Sequence, residues 1–467
     1  MTTGHIRTWL AGFLFWTVGV YSSAFAGGER TNVRGMGMAR TFVATSRGIE
    51  ASGINPANLA LPGTGTVAVS VLPFGFHVGS EFLDYDLYTS YFTGVETDTG
   101  RVARYLSESD KQRILASFAG DVAGSMINFD ALLLGASLRI EKLGGFAFTI
   151  TDQLGASADV PKDYLEFILN GNTPGSIYDF TGAALTAAWV REYSLSFGSA
   201  LPKASFLEWL AGGIGVKLVH GFAYYEVERF DATLSTATDG TLTGTVDFLA
   251  RRAGGDPFAT RSIRNYELLA NPAGVGVGLD LGVSGAFNDF LSFGLSVTDM
   301  GSVRWKTGAE QTFAETTLVV DDPLRGDQRD AIENALKGKK RLAAPFTTSL
   351  PTMLRFGLAL EVHKLNKGEG FPGELLLALD YNQGLRVTPG LTRDPRVSLG
   401  IEYKPIPWLP LRTGASFGGT DELNLALGFG IELSAFTFAL SSENVTWLFI
   451  PNSFSYGSFA VGTQLRF

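Results

Sequence analysis

In the stretch ELNLALGFGIEL, residues 422–433, every second side chain is large and apolar. Leu423, Leu425, Leu427, Phe429, Ile431 and Leu433 form one set, and Glu422, Asn424, Ala426, Gly428, Gly430 and Glu432 the other. A period of two is the period of an extended strand, whose successive side chains point to opposite faces. The same alternation recurs in VGVGLDLGVS (275–284), LRFGLALEV (354–362), ELLLALDY (374–381) and RVSLGIEYK (396–404). Walking the pattern from 65–78 to 457–467 predicts about fourteen strands.

A soluble sandwich also alternates, with its apolar face inward. Three features favour a transmembrane barrel. The segments run to about ten residues, the length of a tilted spanning strand. The second face is rich in Gly, Ala and Ser, which suit a crowded lumen. Aromatic residues fall near segment ends, so Trp209, Trp305, Trp408 and Trp447 are expected at the membrane interfaces. The final segment SFAVGTQLRF (458–467) alternates and ends on Phe467, and it resembles the terminal-strand signal of bacterial outer-membrane barrels.

Parity supplies an orientation. With the last residue in the periplasm, connections near 141–143, 199–208, 287–290, 364–373, 405–409 and 433–434 are periplasmic and short. Those at 79–125, 153–182, 228–271 and 305–352 are external and long. Short periplasmic turns and long outer loops are the rule for such barrels. Helix signals at 107–118, 161–171 and 325–339 predict short helices over the outer mouth.

The N-terminus adds a compartment. Arg7, the apolar run Trp9–Val20 and Ala24-Phe25-Ala26 read as a secretory signal peptide, 1–26, of a Gram-negative envelope protein. The remainder carries 36 Lys+Arg against 46 Asp+Glu, a net charge of about −10, which argues against a nucleic-acid partner. With no cysteine in the chain, thiol chemistry and Cys-ligated metal are excluded. After the signal only His77, His220 and His363 remain, none in a nucleophile or metal motif, so neither an enzyme nor a cofactor is expected.

Between the signal and the first strand lies NVRGMGMARTFVATSRGIEASGINPANLALPG, residues 32–63. It is apolar, small-residue-rich and broken by a turn at Asn55-Pro56. This segment, with Asn55, Pro56 and Ala57 as its motif, resembles the N-terminal hatch of the FadL-type long-chain fatty acid transporter superfamily. Residues 276–305 resemble uncharacterised FadL-like proteins. The resemblance implies a 14-stranded barrel over 64–467 with residues 27–63 folded into its lumen as a plug. It also implies a porin-like role in uptake of hydrophobic compounds such as fatty acids. Membrane lipid, the outer-membrane insertion machinery and a hydrophobic ligand are the partners that follow. A plugged barrel that holds a partner protein, as in secretion, is the second reading.

The predicted inward face carries both charge signs: Glu361, Asp380, Glu402 and Glu432 with Arg355, Arg396, Lys404 and Arg412. Charges at membrane depth pair with one another. A lumen network is therefore expected, anchoring the plug through Arg34, Arg40, Arg47 or Glu50. Apolar lining for a ligand is expected from Met36, Met38, Phe42, Val43 and Ile49, and outside from Phe167, Ile168, Leu448, Phe449 and Ile450.

Overall fold

The computed structural model describes residues 32–62, 66–98, 100–254, 271–321, 326–365, 372–386, 388, 393–419, 423–446 and 455–467. The signal segment, Trp447 and the trio Leu448, Phe449 and Ile450 lie outside these residues.

Fourteen antiparallel strands close on themselves. The wall runs β1 (Val67–Ser70 and, after a break, Phe74–Ser80), β2 (Val122–Ile140), β3 (Gly144–Pro161), β4 (Ala184–Leu201), β5 (Trp209–Thr236), β6 (Gly274–Ala286) and β7 (Leu291–Trp305). It continues through β8 (Met353–Glu361), β9 (Glu374–Gly384), β10 (Arg396–Lys404), β11 (Leu411–Gly418), β12 (Leu423–Glu432), β13 (Phe436–Ser442) and β14 (Tyr456–Arg466). Each strand pairs with its sequence neighbour. Closure comes from β14, which pairs with both pieces of β1, Ala68 opposite Arg466 and Phe74 opposite Val461. Closure removes the edge strands and satisfies every ladder, as a lipid-exposed sheet requires.

The alternation lies in the opposite sense to that of a soluble sandwich. In β6, Val275, Val277, Leu281 and Val283 are exposed, whereas Gly276, Gly278, Asp280, Gly282 and Ser284 are buried. In β12 the exposed set is Leu423, Leu425, Leu427, Phe429 and Ile431, and Asn424 is buried. Apolar side chains outside and polar ones inside is the pattern of a wall immersed in lipid. No helix among the described residues is long and apolar enough to cross a membrane.

Both ends of the wall and the connections β2–β3, β4–β5, β6–β7, β8–β9, β10–β11 and β12–β13 lie at one rim, the periplasmic one by parity. At the other rim the long connections hold more strand than the sequence pattern indicates. β5 runs on to Thr236, and the strand Leu242–Gly254 pairs with it on one side and with Glu310–Val320 on the other. Beyond the bilayer, neighbouring loops can complete each other's ladders where single loops would leave backbone groups to water. Helices cap this rim. These are α2 (Tyr85–Tyr91), α3 (Glu108–Leu115), α4 (Lys162–Asn170) and α5 (Gly326–Lys337), whereas α1 (Val33–Met36), the first turn of the N-terminal segment, lies inside the wall. α3 starts with a capping box, Ser107 and Asp110 each satisfying the other's backbone N–H.

One wall irregularity corrects an expectation. Trp305 is not an interfacial residue; it is fully buried inside the barrel. In β7 the register shifts opposite Leu279/Leu281, where Thr298 and Asp299 form a bulge with Asp299 at φ 58°. An extra residue exchanges the two faces beyond it. Ser296 and Thr298 point inward before the bulge, and Asp299, Val303 and Trp305 after it. The Trp305 indole donates to Thr348 Oγ1 at 2.8 Å. Trp408 is exposed and Trp209 half-buried, both at the periplasmic rim.

Candidate functional site: the occupied lumen

Residues 32–62 contact inward-facing groups around nearly the whole wall, a set of contacts open only to a segment inside the ring. Ser52 Oγ bonds to Ser194 on β4, and Ser284 on β6 meets Asn55. Ser296 on β7 donates to the Ile54 carbonyl at 2.6 Å, and Ser441 on β13 to the Val33 carbonyl at 2.6 Å. Asp380 on β9 accepts from the backbone N–H of Phe42 at 2.7 Å and of Val43 at 2.9 Å.

The local fold of this segment follows from its caps and its proline. Asn32 caps α1 by accepting from the Gly35 N–H. Asn55 caps the short turn Pro56–Ala60 by accepting from the Ala57 N–H, with Pro56 at the first position, where no donor is needed. Asn55, Pro56 and Ala57 are all buried. Asn55 Nδ2 donates to Ser284 Oγ at 2.8 Å, and Ser284 Oγ donates on to Asn58 Oδ1 at 2.5 Å. Asn58 Nδ2 returns to the Val43 carbonyl at 2.9 Å. Asn55 and Asn58 thus tie the two halves of the segment to each other and to β6.

This turn rests on a row of glycines. Gly145, Gly198, Gly213 and Gly282 are direct cross-strand neighbours on β3–β6. A Cβ on Gly213 would collide with the backbone of Pro56 and Ala57, one on Gly198 with the Pro56 carbonyl, and one on Gly145 with the Leu59 carbonyl. On the far wall, Cβ atoms at Gly400 and Gly414 would press on Met38. The glycines of the inner face are the space the segment occupies.

All eight wall charges singled out from the sequence carry partners, and several meet at one place. Glu402 accepts from Arg34 at 2.9 Å and from Arg412 at 2.6 Å. Arg412 also reaches Glu432 at 3.0 Å, and Lys404 reaches Glu432 at 2.7 Å. Arg396 pairs with Glu443 at 3.2 Å, and Arg40 of the segment pairs with the same carboxylate at 2.7 Å. Arg355 donates to Asn382 at 3.3 Å. Glu361 stays at the periplasmic rim with Lys364 at 2.5 Å and His363 at 3.7 Å. Among the four expected anchors, Arg34 and Arg40 pair with the wall. Glu50 lies 3.9 Å from Arg34, and Arg47 donates to the carbonyls of Ala44 and Ser46.

Two clusters escaped the sequence reading. Lys217 on β5 is fully buried among Asp280 at 2.9 Å, Glu192 at 3.9 Å and Asp299. Arg191 pairs with Asp152 through both carboxylate oxygens. Asp280 could have been found, since it falls on the same alternating face as the inward glycines of β6. Asp299 could not, because its bulge is invisible in the pattern. Above Lys217, Val190, Val219, Tyr224, Val303, Trp305 and Leu350 form a solid apolar core on the β4–β7 side.

The opposite side is hollow. A cavity of about 140 Å³ lies between the segment and β1–β3 with β13–β14, bounded by Val33, Ile49, Leu132 and Gly462 and, for the larger part of its lining residues, by polar ones such as Asp130, Thr149 and Gln153. Arg34 and Glu50 also border a second space of about 250 Å³ at the periplasmic rim, with Arg47, Glu361, Lys404 and Arg466. Of the expected apolar lining, Ile49 faces the first cavity. Met36, Met38, Phe42 and Val43 are buried elsewhere in the segment, and Phe167 packs against Tyr178 and Phe180 in the outer cap. Among the described residues no group of three or more His, Asp or Glu is placed to hold a metal. At the chain end, the Phe467 carbonyl accepts from the N–H of Thr66 and Val67, at 2.9 and 3.1 Å, sealing the seam with β1.

A family model described as a family of unknown function, DUF5723, matches residues 72–443. The chain belongs to DUF5723. The match covers most of the wall and leaves the N-terminal segment outside it. No curated protein matches this DUF5723 member. Solved structures similar to it include a deltaS2S3 mutant of the TodX monoaromatic hydrocarbon channel, at 13% identity over 95% of this chain and 98% of that one, TM-score 0.48. A FadL homologue of Pseudomonas aeruginosa matches at 12% identity over 96% and 100%, TM-score 0.47. The toluene transporter TbuX of Ralstonia pickettii matches at 13% over 94% and 99%, TM-score 0.45. These are barrels of the type that the N-terminal motif resembles, and transporters or channels rather than enzymes. Likeness at this level assigns no substrate, and the fold rests on the strand pairing above.

Proposed function

We propose that this protein is an outer-membrane channel that admits hydrophobic small molecules, fatty acids among them, past its N-terminal segment. The observation that carries the reading is the one-sided filling of the lumen. A buried apolar cluster fills space on the β4–β7 side, whereas the β1–β3 side holds a partly apolar cavity that shares Arg34 and Glu50 with a space at the periplasmic rim. Apolar walls with a few convergent polar groups are what a small-molecule site requires. The cavity also reaches the break in β1 at residues 71–73, where pairing with β14 is interrupted and Leu72 adopts φ 56°, while Leu72 and Pro73 stay bonded to Leu132 of β2. A ligand has two ways out, down past Arg34 or sideways at this break.

Filling the cavity tests the reading. Leu132→Trp and Gly462→Phe should each lower uptake of a radiolabelled long-chain fatty acid or of toluene by cells at least threefold, with the barrel still inserted. Unchanged uptake of both probes in both inserted variants would refute it.

The second reading, a scaffold for a protein partner, draws on the outer loop 79–125. There Phe92, Val95, Val102 and Tyr105 are exposed, Tyr105 almost completely. Loss of a surface partner on deleting 93–106, with uptake intact, would favour it.

A further inference from the structure

At the extracellular rim the outer surface of the wall is roofed. After β1 the chain turns at Ser80 and runs into α2, which lies over the outward face of β1–β4. The turn is built by a hydrogen bond from the Leu83 N–H to Ser80 Oγ at 3.2 Å and by the Glu81 carboxylate accepting from the Gly124 N–H at 2.6 Å. Phe82 stacks on Phe118 with ring centroids 4.6 Å apart, and Asp84 caps α2. Between roof and wall is a groove of about 390 Å³. Leu83, Tyr85 and Tyr88 line it from above, and Val78, Ile127 and Leu185 from below.

The floor is continuous with the lipid-facing band. Val78 and Ile127 are cross-strand partners, and two residues lower on the same face lie Phe76 and Phe129, also partners. All four are exposed on the outside of the wall. A chain lying against Phe76 and Phe129 in the bilayer meets no step before it passes under Tyr88. Tyr85 and Tyr88 are half-exposed over this groove, and a tyrosine at a membrane interface gains from an apolar surface for its ring and water for its hydroxyl.

We propose that this groove holds an acyl chain of an outer-leaflet lipid, clamping the first outer loop to the membrane. Its continuity with the bilayer-facing surface selects a lipid chain over a ligand arriving from water. The site lies outside the lumen and is independent of the transport reading.

The chain contains no cysteine, so a single introduced thiol gives a unique label. A bimane fluorophore on Leu83→Cys, in the full-length protein in phosphatidylcholine vesicles, should lose at least half its emission when the acyl chains are brominated. The same label on Tyr105→Cys, in the same loop and nearly fully exposed, should not. Ala158→Phe or Leu185→Phe, which fill the groove, should cut the Leu83 quenching at least twofold. Labelling Tyr88→Cys provides a second reporter if the Leu83 variant does not insert. The proposal fails if aqueous iodide quenches both inserted groove labels as it does the Tyr105 label while brominated chains do not. It fails equally if filling leaves the quenching unchanged, or if only a brominated fatty acid added from water quenches.

Discussion

Asn55 Nδ2 donates to Ser284 Oγ across 2.8 Å and 229 residues of chain. That contact joins the tightest turn of the N-terminal segment to the inner face of β6, and it is fully buried. Removing it leaves Ser284 Oγ short of a donor and uncaps the Pro56–Ala60 turn. Lost caps and lost buried hydrogen bonds each cost about 1 kcal/mol. Asn55→Ala should therefore loosen the segment by about 2 kcal/mol while the wall still closes. Single-channel recording in planar bilayers checks this: opening events should become more frequent than in the unaltered protein.

Deleting residues 27–63 takes the same change to its limit. The wall strands pair without the segment, so the barrel should insert and keep its heat-modifiable migration. Its lumen, lined by Glu402, Arg412 and Glu432, should hydrate and conduct ions, and cells should become sensitive to bulky antibiotics. An inserted but electrically silent deletion would show that the segment does not seal the bore.

Glu402 accepts from guanidinium groups on both the segment and the wall. Glu402→Gln replaces the carboxylate between Arg34 and Arg412 by a neutral acceptor, leaving Arg412 with Glu432, and breaking a buried pair costs about 3–5 kcal/mol. Thermal unfolding in detergent should shift down by several degrees. Adding Arg34→Met should recover part of the loss, because one stranded cation is gone. Equal midpoints for all three proteins would show that the pairing contributes nothing.

Orientation is checked from outside the cell. An epitope inserted at Asp239-Gly240, the turn between β5 and the strand Leu242–Gly254, should bind antibody on intact cells. One at Asn288-Asp289, between β6 and β7, should bind only after the outer membrane is opened.

Phe467 closes the seam through its backbone, while its ring lies exposed at the rim. Deleting it removes three backbone hydrogen bonds from the closing seam and the terminal aromatic. The amount of folded, heat-modifiable barrel in outer-membrane fractions should fall severalfold.

The fourteen wall strands, their parity and the charged inner face were legible in the sequence because side-chain direction in a strand depends only on position. Alternation read along ELNLALGFGIEL places Leu425 outside and Asn424 inside without knowledge of any other strand. The turn at Asn55-Pro56 was legible for the same local reason, since proline restricts its own φ and its neighbour. What each inner residue touches was not local. The row Gly145, Gly198, Gly213 and Gly282 has meaning only once four strands stand in register beneath Pro56. Glu443 acquires Arg40 and Arg396, and Lys217 acquires Glu192, Asp280 and Asp299 from nearby strands, at separations of tens to hundreds of positions. The bulge at Thr298 and Asp299, set by the mismatch of β6 against β7, turned Trp305 from the lipid to the core. Periodicity thus determined the wall, whereas register and closure decided what fills it, because a filled lumen is a set of contacts between segments that share no local pattern.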